Sequence, residues 1–425
     1  MAMKAVILSI GDEVLNGDIV DSNAAWLAER LSEMGVEVVC HETVGDCEEE
    51  AEEAIRRAAA RAHIVVGTGG LGPTEDDLTR HAVARAADVP LELHEESVAH
   101  IEERFRRHGR TMPQRNRIQA MMPQGATVLA NSQGTAPGFI VRCGAAHVAV
   151  MPGVPREMKA MFDDLLAPFI AALPIERRTV CVERLHLFGM PESLVNEKIR
   201  HLMARTANPL VGLRVSGGVI SVKLAASAHT AAEASSLAQR GRDEAARILG
   251  DAVFGTGTDT LHSVVAALLE RHGKTIAVAE SCTGGLIGAF LTAVPGISSF
   301  FLEDCVTYSN EAKVGLLGVP REIIEKVGAV SEDVAAAMAN GVRQRAGADI
   351  GLSTTGIAGP TGGSPDKPVG LVYVGLATAQ DTAVSRLKFV GTREVIRDRA
   401  AKAALNIVRL HLQTIAPGDG WHPSA

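Results

Sequence analysis

Aromatic side chains are scarce in this sequence: only two of its 425 residues are Trp and two are Tyr. That scarcity leaves few stacking platforms and argues against a binder of single-stranded nucleic acid. An excess of positive charge is also missing. Lys and Arg number 42 against 50 Asp and Glu, a formal net charge of −8. A sequence-independent DNA binder needs clustered cations that release counterions, so direct nucleic-acid partners are not expected. The six cysteines, Cys40, Cys47, Cys143, Cys181, Cys282 and Cys305, include no C-x-x-C pair. This speaks against a zinc site or a disulfide framework and for a reducing compartment. No apolar run is long enough to cross a bilayer, and the opening MAMKAVILSIGDE turns at once to Gly and acids rather than to a signal peptide. The expectation is a cytoplasmic protein with no membrane partner.

What is present is ordinary globular composition, 46% hydrophobic and 22% charged, on a chain too long for one core. Residues 4–10, 36–41, 63–68 and 147–151 read as buried strands. Helical patterns over 23–34, 48–62, 77–87 and 155–169 alternate with them, which predicts a parallel sheet with right-handed crossovers. A boundary falls near Leu173-Pro174. The section 173–257 differs: strands at 179–188 and 219–226 alternate with helices at 191–205 and 231–249, a small α+β unit. From residue 258 the α/β pattern resumes. Helices are expected at 261–272, 285–292, 331–345 and 393–412, and strands at 275–279, 305–309, 350–354 and 371–378. Ser331 is the natural N-cap of the third of these helices. The domains are therefore 1–172, 173–257 and 258–416, with a frayed tail at 417–425. The fold class is α/β: two α/β domains with mainly parallel sheets, joined by the small α+β domain.

Three loops in the first domain adjoin buried strands: GDEVLNGD at 11–18, GGLGPTEDD at 69–77 and MPGVP at 151–155. Ligands of open α/β sheets bind beyond the carboxyl ends of strands, where such loops lie. Gly69, Gly70 and Gly72 let the backbone approach a phosphate, and amides at a helix start favour an anion. Asp76 and Asp77 could hold a divalent cation bridging a pyrophosphate. Alternatively, Thr74 is an N-cap with acids in the first turn, which is common helix chemistry. Arg104, Arg106, Arg107, Arg110, Arg115 and Arg117 form one basic stretch. It reads either as a solvated helix face with its loop or as contacts to a phosphorylated small molecule.

In the last domain AESCTGG, residues 279–285, lies between a strand and a helix. A nucleophile at such a turn gains backbone amides able to stabilise an oxyanion, although Ser281 or Thr283 could instead merely cap the helix. Lys313, just past the expected strand 305–309, can act as a general base when desolvated. TTGIAGP at 354–360 is another strand-end loop able to wrap a ligand. Arg393 opens the last helix, where a cation can grip a phosphate or sit in a surface salt bridge.

These segments together carry a family resemblance. GGLGPTEDDLT, with GDEVLNGDIVDSNA before it and NSQGTAPGF and MPGVPREM after it, resembles the molybdopterin-binding-like domain of CinA proteins over about residues 1–170. That implies a fold used elsewhere for molybdopterin and, in CinA proteins, for metal-dependent ADP-ribose pyrophosphatase activity. Gly69, Gly70, Gly72 and Thr74 would then contact substrate, and Asp76 and Asp77 a divalent metal. Many full-length members read G-T-E where this chain reads Gly11-Asp12-Glu13. The middle section resembles the family's KH-like connecting domain but lacks the G-x-x-G clamp used on RNA. ESCTGGLIG, YSNEAK and TGIAGPTGG with DKPVGLVYV are closely similar to the nicotinamide mononucleotide deamidase domain of CinA proteins over about 260–415. The resemblance implies hydrolysis of a carboxamide to an acid and ammonia, with no cofactor. Ser281 matches the nucleophile, Lys313 the base and Thr355 a threonine of the site. Tyr308, Gly284, Gly285, Gly356 and Arg393 fall where the nucleotide is expected. The implied partners are nicotinamide mononucleotide and ADP-ribose, with a homodimer as the assembly. Two other readings stay open: a non-enzymatic adaptor in transformation or DNA damage, and a molybdopterin-binding module.

Overall fold

The computed structural model describes residues 3–175, 178–204 and 206–415; the expected tail at 417–425 lies outside them. The chain divides into two compact units. One is residues 1–181 with 226–236, and the other is 182–225 with 237–425. Among the described residues no helix is long and apolar enough to cross a membrane.

The first unit is built on β1 (Lys4–Ile10), β2 (Glu37–Val44) and β3 (Ile64–Thr68). A short ribbon of β4 (Leu91–Leu93) and β5 (Met121–Pro123) follows, then β6 (Thr127–Leu129), β7 (Gly138–Cys143) and β8 (Ala146–Met151). The main sheet runs β2-β1-β3-β8-β7-β6. Its first four strands are parallel, and β7 and β6 add an antiparallel edge. Strands such as KAVILSI are apolar at nearly every position because both faces are covered. Val6, Leu8 and Val65 pack with Ala51 and Ile55 of the helix Glu48–Arg61. Ala5, Ile7 and Val66 pack on the opposite face with Leu27 and Leu31 of the helix Ser22–Glu33 and with Phe162.

The helix expected from residue 77 begins instead at Thr79. Residues 74–77 are held in a separate turn, because the Asp77 carboxylate accepts from the Thr74 amide 2.8 Å away. Thr74 therefore does not cap this helix. The antiparallel edge and the helix Glu95–Arg107 escaped the sequence reading. On that helix Arg106 and Arg107 pair with Glu103, and Arg104 donates to the Ser132 and Gln133 carbonyls. These three arginines follow the solvated-face reading.

The middle sheet comprises β9 (Thr179–Phe188), β10 (Leu210–Ser216), β11 (Val219–Ala228) and β12 (Val253–Thr256) in the order β10-β11-β9-β12. The last sheet comprises β13 (Ile276–Glu280), β14 (Phe301–Val306), β15 (Ile350–Gly356), β16 (Leu371–Ala377) and β17 (Thr382–Lys388). Its order is β14-β13-β15-β16-β17, parallel across the first three strands and antiparallel beyond. Val278, Leu352 and Val374 pack against Ile396, Ala400 and Leu405 of the final helix Arg393–Thr414. Ala277 and Ala279 pack against Val334, Met338 and Val342 of the helix Glu332–Ala346. Gly351 is needed where this helix crosses the sheet, since a Cβ there would overlap the Ala339 carbonyl. Ser331 caps the helix, as its sequence predicts, by accepting from the Val334 amide.

Two expectations need correction here. The strand expected at 305–309 ends at Val306, because the Ser309 hydroxyl accepts from the Ala312 amide and starts the helix Asn310–Leu317. Lys313 therefore rides on a helix. Thr355 and Gly356, expected in a loop, are the last two residues of β15, paired with β16.

Candidate functional site

In the last sheet the carboxyl ends of three parallel strands, β13, β14 and β15, converge, and β13 leads directly into the turn 281–285. The Ser281 amide donates to the Thr354 carbonyl at 3.0 Å, and the Thr307 amide to the Glu280 carbonyl at 2.8 Å. The ladder thus continues past the strand end and fixes the serine backbone. Gly284 and Gly285 have φ of 61° and 89°, left-handed values that glycine adopts without steric cost. They turn the chain into the helix Leu286–Thr292. Among the described residues no oxygen of the protein accepts from the amides of Cys282, Thr283 or Gly284. Backbone amides at a nucleophile turn are the common donors to a developing oxyanion.

Lys313 reaches the serine from the neighbouring helix. Its Nζ lies 3.1 Å from Ser281 Oγ and donates to the Thr307 carbonyl at 2.8 Å. The side chain is 1% exposed and no carboxylate pairs with it among the described residues. Burial without a counter-charge disfavours the ammonium and lowers the lysine below its ordinary pKa. The adjacent Cys282 is buried too, and burial pushes its thiol up to about 12. A thiol held neutral is a poor nucleophile. Of the two neighbours, only Ser281 has a base in contact.

The other expected residues divide. Tyr308 is exposed, and its phenol oxygen accepts from Arg393 Nη2 at 2.8 Å, while Arg393 Nη1 donates to the Gly359 carbonyl at 2.8 Å. Tyr308 directly follows Thr307, so this arginine stands over the loop that also anchors Lys313. No carboxylate pairs with Arg393 among the described residues, which removes the salt-bridge reading. Thr355 is buried, and its hydroxyl donates to the Ala329 carbonyl at 2.8 Å. The threonine bonded into the nucleophile turn is Thr354, whose hydroxyl is 2.7 Å from that of Thr283. Gly356 has a packing reason, since a Cβ there would meet the Leu371 carbonyl and Val372.

Sequence reasoning missed Glu280 and Arg397. Glu280 is fully buried, and its two carboxylate oxygens accept from the Gly285 and Gly288 amides at 2.9 Å each. Arg397 donates to the Thr283 carbonyl through Nη2 at 2.8 Å. A carboxylate closing the apolar strand IAVAE was the available signal for the first.

In the first unit, the Gly-rich loop opens onto a cleft of about 470 Å³ lined by Glu13, Gly69, Gly70, Leu71, Gly72, Asp77, Gln119, Gly153 and Glu157, among others. Arg80 supports the loop from inside. Its side chain is 1% exposed and Nη2 donates to the Leu71 carbonyl at 2.6 Å. Burial brings it down to about 10, opposed by the charge of Asp77. Asp77 Oδ1 accepts from the Gly72 amide at 2.6 Å, and Oδ2 accepts from both the amide and the hydroxyl of Thr74. Asp76 and Thr74 are exposed and do not line the cleft. The two acids therefore do not face the cleft together: Asp77 lines it while bonded to Gly72 and Thr74, and Asp76 lies outside its lining. Among the described residues no three His, Cys, Asp or Glu side chains converge to hold a metal ion. The unusual Asp12 also lies outside the cleft lining, exchanging backbone-to-carboxylate hydrogen bonds with Asp46 at 3.1 Å each.

Comparisons with known proteins match three stretches of the chain. Residues 6–172 match the family model described as "Probable molybdopterin binding domain". Residues 183–255 match "Damage-inducible protein CinA KH domain", and residues 258–412 match "CinA C-terminal domain". A CinA-like protein of Dictyoglomus thermophilum is 42% identical over 96% of this chain and 98% of its own length. One of Kosmotoga olearia is 41% identical over the same shares. Among solved structures, the protein CinA of unknown function from Thermoplasma acidophilum is 34% identical. It covers 39% of this chain and 98% of its own, with a TM-score of 0.37.

Proposed function

Because the chain belongs to the CinA family, we propose that its last domain is a nicotinamide mononucleotide deamidase working through Ser281 and Lys313. The observation that carries this reading is the fully buried Lys313 amine 3.1 Å from the Ser281 hydroxyl. A neutral lysine has two N–H donors and one lone pair, so one donor stays on the Thr307 carbonyl while the lone pair accepts the serine proton. Ser281 Oγ then adds to the carboxamide carbon, and the amides of residues 282–284 receive the developing oxyanion. Lys313 returns the proton to the departing nitrogen, ammonia leaves, and an ester on Ser281 remains. Water activated by the same lysine cleaves that ester, giving the acid and restoring the hydroxyl. Activity rises with pH as Lys313 loses its proton, and its depressed pKa brings that limb down toward neutrality.

For the first unit we propose a nucleotide pyrophosphate, ADP-ribose by family resemblance, as the ligand of the Gly-loop cleft. Gly69 and Gly70 let this loop pack closely on the protein beside the cleft, as a Cβ on either would overlap Ile10 or Thr79. No step through a metal follows from Asp76 and Asp77. The whole reading is tested by incubating the full chain with nicotinamide mononucleotide and with ADP-ribose, and following ammonia and AMP. Ammonia released in the presence of a chelator is the expected result for the first substrate. Absence of ammonia from an otherwise folded protein would overturn the deamidase assignment.

Arg393 carries a narrower expectation. Two of its guanidinium nitrogens are engaged by neutral oxygens, which leaves its charge for an anion. We assign it the substrate phosphate. Arg393→Ala raises KM for the mononucleotide roughly tenfold or more, the scale of one charge-assisted contact. KM for the unphosphorylated riboside stays nearly constant. An equal rise for both substrates would refute the assignment.

A further inference from the structure

Beneath the nucleophile turn lies a second, half-buried acid that the deamidation chemistry leaves unused. Asp304 on β14 and Glu280 on β13 both come up against Gly288, and the Asp304 Oδ1 is buried with no donor among the described residues. Over both carboxylates runs the first turn of the helix Leu286–Thr292. A Cβ on residue 288 would overlap Asp304 Oδ2, so glycine is needed for this close approach. Two carboxylates at such distance in an apolar setting cannot both be charged without a large cost.

We propose that Glu280 and Asp304 share one proton, carried on Asp304, and that this pair is the positioning device of the Ser281 turn. The proposal rests on the deamidase reading for its rate measurement only. Glu280 must be the ionised member because both its oxygens already accept amide hydrogens, from Gly285 and Gly288. A protonated Asp304 can donate to it, which ends the mutual repulsion. Burial and the neighbouring Glu280 charge hold Asp304 up at about 7. Loss of the proton places a second negative charge under the turn, strains the Glu280 bonds and moves Ser281 away from Lys313.

The surroundings contain little else that titrates. The helix Leu286–Thr292 has no ionisable side chain. The helix Leu261–His272 contributes His262, stacked on Phe290, and the final helix contributes Lys402 near that ring and Arg397 on the Thr283 carbonyl. Cys282 lies in the turn itself, and Lys313 reaches it from the helix Asn310–Leu317. Glu303, the neighbour of Asp304 on β14, is paired with Arg345.

Two near-isosteric variants separate the members of the pair. Asp304→Asn keeps a neutral donor toward Glu280, so the fall of kcat above about pH 7 disappears. Glu280→Gln turns an NH2 group toward one of the two amide donors and lowers kcat roughly 100-fold at every pH, the scale of a displaced reacting group. Similar pH profiles for the two variants, or an alkaline fall that survives in Asp304→Asn, would overturn the proposal. Thermal unfolding reads the same proton without substrate. A carboxyl group with a folded pKa above its unfolded value near 4 loses stability as pH rises between the two. The midpoint of the parent protein should therefore fall relative to Asp304→Asn from about pH 4 to pH 7. A constant difference refutes the shared proton even where no ammonia is released. A changing difference with no ammonia sinks the deamidase reading alone.

Discussion

Ser281→Ala and Lys313→Ala each lower kcat for ammonia release by roughly a thousandfold or more, and the double variant lowers it little further. The two side chains form one proton-transfer unit, so removing either member removes the function of both. A serine hydroxyl without a base is almost never ionised near neutral pH, and a lysine without the serine has no bond to make. Because Lys313 is also a large, fully buried side chain, alanine leaves a cavity there. Lys313→Met keeps the packing while removing the base, and it should match the alanine variant in rate while retaining more stability. Cys282→Ala keeps most of the activity, since its thiol is held neutral. A dead Cys282→Ala enzyme beside an active Ser281→Ala enzyme reverses the assignment.

The second large effect belongs to the other unit. Arg80→Met removes a guanidinium that holds the Leu71 carbonyl and supplies the charge facing Asp77. The methionine fills part of the volume but leaves the buried Leu71 carbonyl without its donor and removes the cation that faces Asp77. A loss of about 3 kcal/mol is expected for breaking such a buried arrangement. For a unit of this size that lowers the unfolding midpoint by roughly 10 °C, read by calorimetry. Turnover of ADP-ribose falls with the distortion of the Gly loop, while ammonia release is unaffected. Wild-type stability in Arg80→Met would show that the loop holds itself without support from below.

Much of the architecture was legible in the chain because strands covered on both faces read as unbroken apolar runs. KAVILSI and IAVAE were visible for this reason. The edge strands β6 and β17 were not, as such strands carry fewer obligate apolar positions and resemble loops. At the site, the Gly turns and the serine could be read from local sequence, whereas the Lys313 contact depends on the helix Asn310–Leu317, which the sequence reading did not contain. Asp77 illustrates the opposite difficulty. An acid after a Gly loop looks like a cation ligand, but only the fold reveals that its oxygens are consumed by Gly72 and Thr74. Thr354 and Thr355 differ by one residue and so face opposite sides of β15. One residue of register separates a hydroxyl bonded into the nucleophile turn from one tied to Ala329.

The burial of Cys282 beside the working serine bears on how the protein withstands oxidants. Peroxides attack thiolates, and hydrolases built on a low-pKa cysteine lose their nucleophile to sulfenic and higher acids. Here the sulfur beside the reacting centre is 6% exposed and protonated, while the hydroxyl that does the chemistry has no such ladder to climb. On the deamidase reading, ammonia release should therefore survive peroxide treatment that silences a thiol hydrolase.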